Sequence, residues 1–357
     1  MKALKTSILA VVFCTLSMGA AAQQNWPDAI PIPAGFEAEG IELGKGHEFF
    51  VGGYSFSSVF GPLFGVNPPP ELSDFAGSIY KGNLSTEEGA LLVDMRLRPP
   101  TERKPVSGLS YDRRTDYLYA ATGFIDLFSG NSGQGVIVYD ASSGDLITEI
   151  PFGDGTGIAI NDCLVTRRGV YCTDSLNPDL YKIVLEKGGR LPSTPVVEKI
   201  SMPGFNNIPL VFNANGLVGK FDGRQLVIVN ITTGVLYLVD TASGQASPIK
   251  IEGAEKTFEN GDGLYLDGRT LYIMQNFPPT KIAVVQLSGD LSKGEFIRNI
   301  GEGPDTPLDI ATTIIGFRDS IYAINTHFFE IFSDPTMVQT EVVRPVSYTH
   351  LRAHETK

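Results

Sequence analysis

The sequence predicts an all-β fold, a six-bladed β-propeller. Helical periodicity is nearly absent, and short β-branched and aromatic runs alternate with Gly, Asp-Gly and Pro. Those runs also group into units that recur at intervals of roughly 45 to 70 residues, the signature of a repeat architecture. Two units match closely: the run from Asn215 to Asn230 and the run from Asp262 to Asn276. Each reads as a strand, an Asp-Gly turn, a second strand and a closing Asn. A third strand follows in both, over residues 235–240 and 281–286.

Four looser units keep the same phase. Ser107 to Asp112 leads through Arg113-Arg114 to the Tyr117–Ala120 run and then to Gly135–Asp140. Asn161 to Val165 leads through Arg168-Gly169 to Val170–Thr173 and then to the 179–183 run. Glu39 to Leu43 leads to the 47–52 run, and Thr312 to Phe317 leads to Ser320–Asn325. The units start near 39, 107, 161, 215, 262 and 312, with an insertion around Pro68-Pro69-Pro70 in the longest. A sandwich would not explain the recurring phase.

The ends do not belong to this repeat. A basic start, an apolar run from Ser7 to Ala22 and small residues before Gln23 read as a cleavable signal peptide over 1–22. A membrane anchor would need about 20 apolar residues and different flanks. The last residues, 346–357, resemble translated sequencing-adaptor DNA and are set aside, which leaves 27–345 as the propeller. The chain is therefore expected to be secreted and extracellular.

The whole chain carries 28 basic against 40 acidic residues, which argues against nucleic acid or an anionic membrane as partner. Solubility alone accounts for that charge, and oligomeric state is not legible. Cys163 and Cys172 flank a turn signal at Arg167-Arg168-Gly169, so a hairpin would set them opposite each other and a disulfide is expected. Asn83-Leu84-Ser85 and Asn230-Ile231-Thr232 fit the glycosylation sequon, the second at a strand end where burial would close it.

Innermost strands line a propeller's channel, so residues at one phase of the repeat meet in space. At the first position of the inner strand stand Glu39, Ser107, Asn161, Asn215, Asp262 and Thr312. Two carboxylates and two amides among them are hard oxygen donors that suit a divalent cation, calcium by donor type. Asp162 adjoins the ring and could hold a second ion or orient a ligand. The plainer alternative is that Asn or Asp before Gly serves a turn.

On Glu39-Gly40, Asn161-Asp162 with Tyr171 to Ser175 following, Ala214-Asn215-Gly216 and Gly261-Asp262-Gly263, the chain resembles the superfamily of senescence-marker-protein/gluconolactonase enzymes, diisopropyl-fluorophosphatase-like hydrolases and paraoxonases. The resemblance spans roughly residues 33 to 345. It implies a six-bladed propeller with calcium or another divalent cation on Glu39, Asn161, Asn215 and Asp262. It also implies that Asp262 acts as general base or nucleophile. The gluconolactonase branch has an arginine two residues before the Asn of its Asn-Asp pair, and here Ala159 stands there, in the apolar run from Gly157 to Ile160. A polyhydroxylated sugar lactone is thereby disfavoured against a less polar ester or lactone.

No Gly-x-Ser-x-Gly elbow is present, and the propeller offers only His47 and His327, so a Ser-His-Asp hydrolase is not expected. His327 reads as an ordinary loop histidine near the channel mouth. The glycines from 153 to 157 read as a blade connection rather than a phosphate loop, since no helix follows. Two functions stand open: a secreted metal-dependent hydrolase of a lactone or ester, and a propeller that binds a small molecule or protein without turnover, with a structural metal.

Overall fold

The computed structural model describes residues 26–60, 73–122, 134–154, 157–303, 305–331 and 340–347. The segment read as a signal peptide lies outside the described residues, as does the Pro68-Pro69-Pro70 insertion.

A short first strand, β1 (Ala29–Pro31), precedes the repeat. Blade 1 is then β2 (Ala38–Leu43), β3 (Glu48–Gly53), β4 (Ile79–Asn83) and β5 (Gly89–Val93), in that order from the axis outward. Blade 2 is β6 (Gly108–Asp112), β7 (Tyr117–Thr122), β8 (Gly135–Asp140) and β9 (Leu146–Pro151). Blade 3 is β10 (Ile160–Val165), β11 (Val170–Asp174), β12 (Asp179–Ile183) and β13 (Val197–Ser201). Blade 4 is β14 (Ala214–Gly219), β15 (Gln225–Asn230), β16 (Leu236–Asp240) and β17 (Ala246–Pro248).

Blade 5 opens on an outer strand, β18 (Lys250–Glu252), and continues with β19 (Gly261–Asp267), β20 (Thr270–Gln275), β21 (Lys281–Leu287) and β22 (Lys293–Ile300). In it β18 runs parallel to β22 as a fifth strand. Blade 6 is β23 (Ala311–Phe317), β24 (Ser320–Asn325) and β25 (Glu341–Ser347), and β1 completes it by pairing antiparallel with β25. The ring is thus sealed by residues from before the first repeat. Each inner strand packs beside the next, and β23 returns to β2. The fold is the six-bladed propeller that the repeat predicts.

Burial explains the composition of each strand. The second strands are covered on both faces by neighbouring blades, so β11 and β24 are buried throughout and centre on the apolar runs Val170–Cys172 and Ile321–Ile324. The outermost β9 shows mostly exposed residues. Between blades 6 and 1 the core joins Ile30, Phe36, Phe49, Tyr80, Tyr322 and Val342. Each such side chain contributes about 1.5–3 kcal/mol on burial.

The recurring glycines are not turn residues. Gly40, Gly108, Gly216 and Gly263 lie within inner strands. A Cβ on Gly40 would stand 2.7 Å from Ser107 O, on Gly108 2.7 Å from Asn161 O, on Gly216 2.2 Å from Asp262 O, and on Gly263 2.6 Å from Thr313 Cα. Adjacent blades therefore touch backbone to backbone at the axis, and only glycine permits it. The Asp-Gly turns are elsewhere: Gly223 and Gly268, with φ of 63° and 59°, close the first hairpins of blades 4 and 5.

Cys163 and Cys172 pair across the β10–β11 hairpin and form the expected disulfide. Asn230 is fully buried and donates from Nδ2 to Asn206 O at 2.8 Å, which closes that sequon in the folded chain. β25 extends to Ser347, two residues into the segment set aside as adaptor-like. Among the described residues no helix is long and apolar enough to cross a membrane.

Replacing Gly216 by Ala is expected to cost about 2–4 kcal/mol, because the clash is with backbone. Gly289→Ala, where a Cβ meets nothing within 4 Å, is expected to stay within about 0.5 kcal/mol of wild type. Urea unfolding of the two variants distinguishes these outcomes.

Candidate functional site

Five inner strands carry a β-bulge at the start of the strand. From Ile160↔Asp174 to Cys163↔Cys172 the inner strand advances three residues while its partner advances two, and β2, β14, β19 and β23 repeat this shift. The residues at the bulges are Glu39-Gly40, Asn161-Asp162, Asn215-Gly216, Asp262-Gly263 and Thr312-Thr313. A bulge spreads two consecutive residues against one and re-aims their side chains. The first of each pair turns into the mouth where the inner strands begin.

Glu39, Asn161, Asn215, Asp262 and Thr312, joined by Ser107 just before the unbulged β6, all line one cavity of about 300 Å³ on the axis. The structure brings the whole ring together. Asp162, one residue on, lines a separate cavity at the opposite mouth.

The ring is held by hydroxyls that donate across blades. Ser107 Oγ donates to Asn161 O at 2.6 Å, Thr173 Oγ1 to Asn215 O at 2.8 Å, and Thr312 Oγ1 to Glu39 O at 2.6 Å. Ser175, also in the cavity wall, donates to Ala214 O at 2.6 Å. These hydroxyl protons are committed to the backbone. No histidine lines the cavity among the described residues, so no Ser-His pair is assembled there. His47 packs edge-on against Trp26 and Phe317. His327 sits in the loop after β24, its Nδ1 2.8 Å from Asp309 Oδ2, outside the cavity lining. With Asp309 and Glu330 it forms a surface group, the one cluster of three His, Cys, Asp or Glu side chains within 4.8 Å among the described residues.

The floor of the cavity is electrostatically costly. Asp262 receives Nδ2 of Asn276 at 2.6 Å, yet its carboxyl is pushed up to about 7. Burial dominates, the Asp162 charge adds to it, and the bonds from Asn276 and Asn215 pull back. Burial also lifts Glu39 well above the carboxylate range, followed by repulsion from Asp262 and Asp162. Asp162 is pushed up to about 7 by burial, opposed by the N–H groups of Cys163 at 2.8 Å and Leu217 at 3.4 Å. Among the described residues no lysine or arginine forms an ion pair with Glu39, Asp162 or Asp262.

The walls are aromatic. Two short helices, α1 (Phe56–Phe60) and α2 (Phe328–Ile331), follow the second strands of blades 1 and 6. They bring Phe56 to 5.5 Å and Phe60 to 5.7 Å from Phe328 between ring centroids. Phe212 stands 6.3 Å from Phe60, Phe277 6.1 Å from Phe328, and Tyr54 4.9 Å from Phe56. Ala159 and Ile160 complete the apolar lining. The inner-strand phase does not predict this canopy. Its signal lies one strand later, where Tyr54, Phe277 and Phe328 each follow the end of a second strand by one to three residues.

Fold and site together define a propeller with an aromatic-walled, acid-floored axial pocket. No sequence-family model and no curated protein matches the chain, so the superfamily resemblance has no support from sequence comparison. Solved structures match the fold. The major Malassezia sympodialis allergen Mala s 1 is 13% identical over 89% of this chain and 96% of its own, with a TM-score of 0.63. The β-propeller domain of Cps50 (Swd1) from Myceliophteria thermophila is 12% identical over 90% of this chain and 99% of its own, at 0.53. A functionally unknown protein from Desulfotomaculum acetoxidans is 11% identical over 82% and 80%, at 0.52. At these identities the likeness establishes the fold alone.

Glu42, three residues beyond Glu39, lines the opposite cavity and is pushed up to about 8, mainly by burial and then by Asp162. Its ordinary value is 4.5, so the folded chain keeps a proton that the unfolded chain releases between about pH 4.5 and 8. The stabilisation this gives is complete below pH 4.5 and is lost as pH rises toward 8. Glu42→Gln is therefore expected to gain stability relative to wild type as pH is raised through that window. Urea midpoints measured from pH 4 to 8 test it; a constant difference across the window would contradict it.

Proposed function

We propose that the axial pocket binds a small, predominantly apolar ester or lactone and hydrolyses it with the help of a divalent cation. The observation that carries this reading is the joining of an oxygen-rich, anionic floor to aromatic walls within one cavity. Glu39, Asn161, Asn215 and Asp262 would hold the cation. Two enclosed carboxylates without a basic partner, flanked by two amide oxygens, suit calcium. Bound there, the ion would polarise the carbonyl of the substrate.

The chain's own residues would do the rest. Asp262 would take a proton from the attacking water as the new C–O bond forms at the carbonyl carbon, and would return it to the leaving oxygen as the bond from that oxygen to the carbonyl carbon breaks. Asn276 and Asn215 hold the Asp262 carboxylate in place through hydrogen bonds. Phe56, Phe212 and Phe328 would exclude water and grip the apolar body of the substrate. Ala159 and Ile160 offer nothing to a sugar hydroxyl, consistent with a substrate of low polarity. The Cys163–Cys172 disulfide is compatible with an oxidising, extracellular setting for this activity.

One observation favours binding without turnover. The Asp262 carboxylate already receives Asn276 at 2.6 Å, a bond that restrains it as a base. In that second reading the pocket would hold the apolar molecule and the cation would serve structure.

A panel of aryl esters and aliphatic lactones, assayed with and without chelator, tests the proposal. Turnover is expected, with loss of at least about 100-fold on chelation and in Asp262→Asn. Phe212→Ala is expected to raise KM with less effect on kcat. Ligand binding without turnover on any substrate would select the second reading, and absence of calcium binding would remove the metal from both.

A further inference from the structure

The opposite mouth of the channel is built differently from the first. There the ends of the inner strands enclose a cavity of about 200 Å³ whose walls are largely aliphatic, among them Leu43, Leu164, Val218, Leu266 and Ile315. Two carboxylates, Glu42 and Asp162, stand in that wall. Neither forms an ion pair with a lysine or arginine among the described residues. Arg113, whose charge acts on Glu42, donates at 3.4 Å to Gly44 O. Tyr265 adds an aromatic ring, seated where Gly316 makes room: a Cβ on Gly316 would lie 2.1 Å from it.

Each feature narrows the ligand. A divalent metal seeks six to eight oxygens for calcium. The side-chain oxygens in this wall belong only to Glu42, Asp162, Thr313 and Tyr265, and Asp162 already accepts two backbone N–H groups. An anion is repelled by both carboxylates. A neutral apolar molecule would cover the two half-buried carboxyl groups without giving them a partner when ionised, which is costly. An ammonium group on an apolar body satisfies all of the wall: the charge pairs with the carboxylates, and the body covers the aliphatic residues and the Tyr265 ring.

We propose that this second mouth is a binding site for an amphiphilic organic amine, separate from the aromatic pocket at the first mouth. The site stands on the second cavity and its wall, independently of whether the first pocket is catalytic.

Isothermal titration of the full chain at about pH 9, where Glu42 and Asp162 are ionised and the amine is still protonated, with three matched probes tests it: 4-phenylbutylamine, 4-phenylbutan-1-ol and 4-phenylbutyrate. The amine is expected to bind at least about tenfold more tightly than the alcohol, the equivalent of one charge-assisted hydrogen bond, and the carboxylate more weakly still. Glu42→Gln is expected to lose about tenfold for the amine and little for the alcohol. Leu266→Arg, at a half-buried position of the mouth, places a fixed cation there and is expected to abolish amine binding even if the Glu42 variant folds poorly. Phe212→Ala, at the first mouth, is expected to leave amine binding unchanged. Equal affinity for amine and alcohol would overturn the proposal. So would amine binding that survives Leu266→Arg and disappears in Phe212→Ala, which would place the amine in the first pocket.

Discussion

Backbone contact between adjacent inner strands is the constraint on which the rest of this molecule depends. Six blades converge on a narrow axis, and at four of the junctions a glycine lets one strand lie against the carbonyl or Cα of the next. Hydroxyls then bind the strands together at that radius, from Ser107 to Asn161 O, from Thr173 to Asn215 O and from Thr312 to Glu39 O. The last of these joins blade 6 to blade 1, so the axis is closed by a side chain where β1 closes the rim by a ladder. Because carbonyls at the axis are satisfied in this way, the centre of the ring can be dry without leaving backbone groups unpaired.

The same packing creates the chemistry. In blades 1, 4 and 5 the glycine contact falls within a bulge, and the bulge turns the preceding residue toward the axis. Glu39, Asn215 and Asp262 are thus exposed to one another as a consequence of how Gly40, Gly216 and Gly263 pack. Blade 2 makes its glycine contact without a bulge, blade 6 has Thr313 in the glycine position, and blade 3 has Asp162 there. Its carboxylate takes the space above Gly108, where a Cβ would come within 2.6 Å of Oδ1. From that position it acts electrostatically on Glu39 and Asp262 on one side and on Glu42 on the other. The acidity of the axis is continuous between the two mouths, while their walls differ.

Much of the fold was legible because propeller blades repeat in phase. The first three strands of the units beginning at Asn215 and Asp262 fall within a residue or two of the observed β14–β16 and β19–β21. The ring of six polar residues was legible for the same reason. Three features were not. β1 lies before the first repeat and pairs with the last, a contact across the whole chain that no local pattern encodes. The bulges leave no mark beyond X-Gly, which also describes a turn; only the neighbouring strand distinguishes the two. The aromatic canopy is drawn from loops after β3, β20 and β24 and before β14, so its members share no single periodicity.

Buried acids at the floor have a further physical meaning. A structural ring would be more stable with neutral residues at Glu39 and Asp262, since two enclosed carboxylates cost desolvation and repel each other. Neither a turn nor the backbone contact requires them: the glycine that follows, not the acid, makes the close approach. Ser107 and Thr312 fill the equivalent positions in blades 2 and 6 and serve the packing with a hydroxyl alone. Packing alone thus gives no reason for carboxylates at two of the six positions, and the cation proposed above would supply one. In that proposal the aromatic wall of the same cavity would receive the apolar part of the ligand.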